Sequence, residues 1–163
     1  MPPGVYFLKL NTGKTIALPF EELVIFAIGL NITAALGAIA FARVDDRLGA
    51  KPTILMALAG LMVLGIPLLL ITDKTWFWAL ALGLGLFMGP AQAAGRSLLV
   101  RLAPPALITE SFGLYALSGK AVSFIGPLAL GWATTAFASQ RAGMATILVL
   151  FALGIVLMLG VRE

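Results

Sequence analysis

The charges of this chain fall in short clusters separated by long stretches that carry few or none, and that spacing limits the fold more than any other feature. The hydrocarbon of a bilayer is about 30 Å thick, and a helix needs about 20 residues at 1.5 Å each to cross it. Five stretches meet that length: 23–42, 53–71, 76–96, 112–138 and 142–161. Of 163 residues 61% are hydrophobic and only 11% charged, against roughly 25% charged in a soluble domain. Too little polar side chain remains to cover a water-facing surface. The expected fold is all-α, a polytopic membrane protein of five transmembrane helices embedded in the lipid bilayer.

The connections carry helix-stopping residues: Arg43 to Pro52, Thr72 to Thr75, Arg101 to Ser111 with Pro104-Pro105, and Ser139 to Arg141. All are short, so consecutive helices run antiparallel. The side that receives Arg43, Arg47, Lys51, Arg96, Arg101 and Arg162 is richer in basic residues than the side that receives Lys74 and Arg141 with Lys9 and Lys14 of the N-terminal segment. The positive-inside rule makes the richer side cytoplasmic and places the C-terminus there, in a multi-pass protein of the cell inner membrane. Residues 1–20 contain Pro2, Pro3, Lys9, Lys14 and Pro19 and no run long enough to span, and their charges follow the short apolar stretch Val5 to Leu8, unlike a signal peptide. They read as an exposed or interfacial tail, and residues 21–163 as the transmembrane domain. Trp76 and Trp78 open the third span as residues of an aromatic belt.

The net charge of +4 is spread out and forms no stripe of the kind that binds nucleic acid. Cysteine and histidine are absent, which removes thiol and imidazole catalysis, disulfides and the usual zinc ligands. No paired carboxylates lie at membrane depth. The chain is expected to be neither an enzyme nor a metal or cofactor protein.

Lys120 lies inside the fourth span, where an ammonium costs several kcal/mol unless it faces protein, water or a counter-charge. It marks a solute pathway, snorkels to the interface about 15 Å away, or joins a structural ion pair. Gln92 and Arg96, four apart, share a helix face and are suited to a carboxylate or phosphate; the plainer account anchors that helix end at the interface. Asn31 lines a pathway or, more simply, bonds across a helix contact. Tyr115 precedes Lys120 by a rotation of about 140°; Ser118 and Ser123 offer weaker polar contacts. Gly85 and Gly89 form a GxxxG pair that lets another helix approach closely. Pro90 and Pro127 interrupt helical hydrogen bonding, as flexible points or static kinks.

The run Asp46-Arg47-Leu48-Gly49-Ala50-Lys51 reads first as a charged turn, with Gly49 permitting the reversal and the charges meeting helix ends or anionic headgroups. It also resembles the cytoplasmic loop signature of the major facilitator superfamily, with Ala42 in place of the first Gly and Ala50 where a basic residue is usual. Gly89-Pro90-Ala91-Gln92-Ala93-Ala94-Gly95-Arg96-Ser97, the run Arg101 to Pro105, and Phe112 to Ala121 resemble the C-terminal half of the vacuole-effluxer-like branch, whose yeast members are autophagy-related amino-acid exporters. The resemblance covers about Glu21 to Glu163 and implies the last five helices of a twelve-helix permease that moves a small polar solute. Gln92 and Lys120 would then contribute half of a central cavity, with Asn31 and Tyr115 as further candidates, and Asp46, Arg47, Gly49 and Lys51 would form a loop that stabilises one access state. The implied partner is a separate N-terminal half or a second copy. The other expectation is a truncated or split fragment that serves as an assembly subunit and transports nothing itself.

Overall fold

Gly49 alone separates the first two helices, and its φ of 97° and ψ of 168° lie in a region open essentially to glycine. On either side the chain is helical in the computed structural model, which describes residues 5–9, 15–71, 73–138 and 140–161. The helices are α1 (Phe20–Leu48), α2 (Ala50–Leu70), α3 (Lys74–Leu102), α4 (Ile108–Ala136) and α5 (Gln140–Gly160), with a 3-10 turn at Pro105–Leu107 before α4. All five are long and apolar enough to cross a membrane, and the body of the molecule is an all-α polytopic membrane fold.

The helices overrun several expected bounds. The polar residues that looked like a connection, Arg43 to Leu48, belong to the last turns of α1, and Ser97 to Leu102 extend α3. Charged residues do not stop a helix that is leaving the hydrocarbon, because water and headgroups solvate them while the backbone bonds continue. Asp46 and Arg47 are therefore helical residues at a C-terminal end, a correction to the loop expected there; only Gly49 is a true linker, and Lys51 opens α2. Asp73 caps α3 in the ordinary way, accepting from the Thr75 N–H at 3.0 Å.

Ahead of α1, strands β1 (Val5–Lys9) and β2 (Thr15–Pro19) pair antiparallel, Val5 opposite Pro19 and Lys9 opposite Thr15. The first segment thus contains a hairpin that its composition did not suggest. Ser139, which the sequence places between the fourth and fifth spans, lies outside the described residues.

Packing follows an order different from the sequence. α3 lies against α1 and α2, α5 lies against α2 and α4, and α4 otherwise meets α3 only slightly. The fully buried positions are mostly small: Gly37 on α1, Ala50, Thr53 and Ala57 on α2, Ala81, Gly85 and Ala94 on α3. In lipid, apolar side chains gain little by leaving one hydrocarbon for another, so close backbone approach through small residues provides the dispersion contacts. Ala50, Ile54, Ala94 and Leu98, with Leu58 and Met158 against them, join α2, α3 and α5 near one end of the bundle.

Candidate functional site

The seam between α1 and α3 is the most tightly constrained part of the molecule. A Cβ on Gly89 would stand 1.9 Å from the Ala34 carbonyl oxygen, one on Gly85 would stand 2.2 Å from Thr33 Oγ1, and one on Gly37 would stand 1.8 Å from the Leu86 oxygen. Pro90 is itself fully buried and has no N–H to return to the carbonyl four residues earlier, which is the Leu86 carbonyl lying against Gly37. Aromatic contacts flank the glycine stretch, Phe26 edge-on to Trp78 at 5.0 Å and Phe41 edge-on to Phe87 at 5.9 Å. Trp78 is thus engaged in the seam, while Trp76 is the exposed member of the expected aromatic pair.

Ion pairs join the same two helices at both ends. Lys74 Nζ donates to Glu22 Oε2 at 2.6 Å where the helices begin. Where they finish, Arg101 Nη2 lies 3.5 Å from Asp45 Oδ1 and donates to the Asp45 carbonyl at 3.1 Å. The Asp45 side chain is only 18% exposed, and its Oδ1 is shielded from solvent with no hydrogen bond of normal length, so the guanidinium is its main compensation. A cavity of about 110 Å³ opens beside it, lined in part by Phe41, Asp45, Asp46, Thr53 and Pro90.

Neither Asp45 nor Arg101 stood out as a site residue in the sequence, where Asp46 and Arg47 drew notice instead. A signal existed: Asp45 continues the i, i+4 row Gly37, Phe41, Asp45 that faces α3, whereas Asp46 and Arg47 are exposed. Lys51 also turns inward at this end, donating to the Leu159 carbonyl at 3.2 Å and to the Val161 carbonyl.

The polar residues expected at membrane depth are distributed unevenly. The Tyr115 hydroxyl lies over α3, 3.4 Å from where a Cβ on Gly95 would stand, which brings Tyr115 beside the helical turn containing Gln92 and Arg96. Both of those side chains are exposed. Lys120 is exposed on α4, about 18 Å along that helix from Ile108, and no ion pair or side-chain hydrogen bond engages its ammonium among the described residues; the expected structural ion pair is not formed within them. Ser118 and Ser123 bond back to the Tyr115 and Lys120 carbonyls at 2.8 and 2.6 Å. α4 fully buries only Ala133. Asn31 stands apart on α1, and its Nδ2 donates to the Ala27 carbonyl of its own helix at 2.8 Å in place of a bond across a helix contact. The arrangement is an apolar bundle that exposes an amide and a guanidinium on α3 and a phenol and an ammonium on α4, with Tyr115 beside the turn of Gln92 and Arg96 and Lys120 about 140° around α4 from Tyr115; each of these groups is able to bind an anionic or zwitterionic partner.

Comparison with known proteins agrees with this architecture. The sequence model of the family described as vacuole effluxer Atg22 like matches residues 18–163. An uncharacterized MFS-type transporter, YxiO of Bacillus subtilis strain 168, is 24% identical over 156 residues, covering 96% of this chain and 36% of that protein. Autophagy-related protein 22 of Cryptococcus neoformans var. neoformans serotype D is 25% identical over 161 residues, covering 89% of this chain and 28% of that protein. The chain therefore spans about a third of the length of these curated relatives. No solved structure matches.

Proposed function

We propose, from the premise that the chain belongs to the vacuole effluxer Atg22-like family, that it forms the C-terminal membrane part of a major-facilitator permease and helps move a small polar solute. The observation that carries the reading is the exposure of Gln92 and Arg96 on α3 and of Tyr115 and Lys120 on α4, on a bundle whose surface is mostly apolar. Exposed to lipid, an ammonium in mid-helix is costly. Facing a water-filled path shared with a second membrane domain, it is solvated and able to bind a carboxylate. Amino acids fit that chemistry and the family's exporters. The second domain is a separate N-terminal half, the remainder of a longer chain, or a second copy. In this reading Asn31 is a peripheral contact, and the Asp45–Arg101 pair, with Asp46, Arg47, Gly49 and Lys51 around it, stabilises one access state on the cytoplasmic side.

The test is efflux of radiolabelled amino acids from vesicles containing the transport-competent assembly, with Lys120→Ala compared with the unsubstituted protein. A charge-assisted hydrogen bond contributes roughly 1.5–3 kcal/mol, so flux at limiting solute should fall about tenfold or more while the amount inserted in the membrane stays the same. Unchanged flux removes Lys120 from the pathway.

A further inference from the structure

The outward row of α1 is aliphatic along most of its length and basic at its end. Ile25, Ile28, Ile32, Leu36 and Ile39 are each more than half exposed, and at 3.6 residues per turn they fall on one face of the helix. Arg43 and Arg47, both exposed, continue the same row to the last turn. α3 covers another side of α1, where Gly37 meets the Leu86 carbonyl. Two arginines four apart have Cβ atoms about 5–6 Å from each other, close enough to share one phosphate, to which each guanidinium presents parallel N–H donors. Among the described residues no ion pair or side-chain hydrogen bond engages either guanidinium: Asp45 is committed to Arg101, and the exposed Asp46 pairs with neither.

Depth identifies the occupant. From Ile32 to Arg43 the helix rises about 16 Å, and one leaflet of a 30 Å hydrocarbon layer is about 15 Å deep. Ile32, Leu36 and Ile39 therefore line one leaflet beneath the two arginines, an arrangement that matches a phospholipid, with acyl chain below and phosphate above. The other end of the row has the opposite sign, because Glu21 is exposed there, so the charge favours an anion in one leaflet only. We propose that this row of α1 binds a phospholipid of net negative charge in the leaflet where α1 finishes, its phosphate between Arg43 and Arg47 and one acyl chain along Ile39, Leu36 and Ile32. A zwitterionic lipid presents the same phosphate but adds an ammonium of its own, so the two arginines select for net charge. The site is independent of which solute, if any, is moved.

The chain contains no cysteine, so Ala40→Cys, exposed beside the row, takes a single bimane label in the full protein. In phosphatidylcholine nanodiscs, quenching by phosphatidylglycerol with brominated acyl chains is compared with quenching by brominated phosphatidylcholine at equal mole fraction. Two basic residues beside an anionic lipid correspond to roughly a thirtyfold preference, and phosphatidylglycerol should reach half-quenching at a mole fraction lower by about that factor. Arg43→Gln with Arg47→Gln should bring the two curves together. Arg96→Gln with Lys120→Gln, the same change of charge on α3 and α4, should leave them apart, and inorganic phosphate should not relieve the quenching. Equal quenching by the two lipids, an equal loss in both double variants, or displacement by phosphate overturns the site. If the Arg43 and Arg47 double variant does not insert, Arg43→Gln and Arg47→Gln alone should each lower the preference about fivefold, and no change in either overturns it equally.

Discussion

Glycine has two distinct uses in this chain. At Gly37, Gly85 and Gly89 a methyl group would collide with α1 or α3 backbone or with Thr33, whereas at Gly113, Gly119, Gly126 and Gly131 nothing lies within 4 Å. Overpacking a close contact costs typically 1–3 kcal/mol, so Gly89→Val should lower stability by about that amount or more, because the obstructing atom is a main-chain oxygen that has no rotamer to change. Gly126→Ala, which adds a methyl in open space, should change stability by less than about 1 kcal/mol and tend to favour the helix. Equilibrium unfolding of the detergent-solubilised chain checks both, and equal losses at the two positions would contradict the seam as described. The GxxxG spacing of Gly85 and Gly89 was legible in the sequence. Gly37 was not, because its need for a bare Cα comes from the Leu86 carbonyl on a different helix.

Between elements, the two ion pairs that tie α1 to α3 differ in burial, and burial sets their worth. Glu22 and Lys74 are 35% and 41% exposed, a setting in which a pair contributes at most about 1 kcal/mol. Asp45 is the more enclosed, and removing its partner strands a carboxylate away from water. Arg101→Met should therefore cost roughly 1–3 kcal/mol, the range for leaving a shielded acceptor uncompensated, more than Lys74→Met, and adding Asp45→Asn should recover part of the loss. A double-mutant cycle measures this coupling; strictly additive effects would show that the pair is not a unit. Sequence reasoning located the charges but not the pairings, because which Asp meets which Arg depends on the rotation and depth of helices 56 positions apart, information that no local pattern contains. The same limit hid the partners of Lys51, the Leu159 carbonyl in α5 and the Val161 carbonyl just past its end.

Across the molecule, the five helices were readable because apolar length is dictated by bilayer thickness, a constraint that acts on each segment separately. Their ends were less readable, since Arg43 to Leu48 and Ser97 to Leu102 stay helical beyond the apolar runs. The polar residues of α3 and α4 were visible one by one, but the bareness of α4 depends on packing order and emerged only in three dimensions. Orientation is still a matter of charge counting: Arg43, Arg47, Lys51, Arg96 and Arg101 all gather at the end where α1 and α3 finish. A cytoplasm-active reporter fused after Glu163 should be functional, and activity from an exported reporter at the same place would reverse the assignment.

α1 and α3 run in the same direction, since Glu22 meets Lys74 where both begin and Asp45 meets Arg101 where both finish. Parallel neighbours cannot be the two arms of one hairpin, so during synthesis α1 enters the bilayer before its main partner exists. Its closest contact, Gly37 against the Leu86 carbonyl, cannot form until α2 has been made and α3 has followed. The tightest seam in the finished protein therefore closes only when α3 has emerged, yet before the contacts of α5 with α2 and α4, which await the last helix.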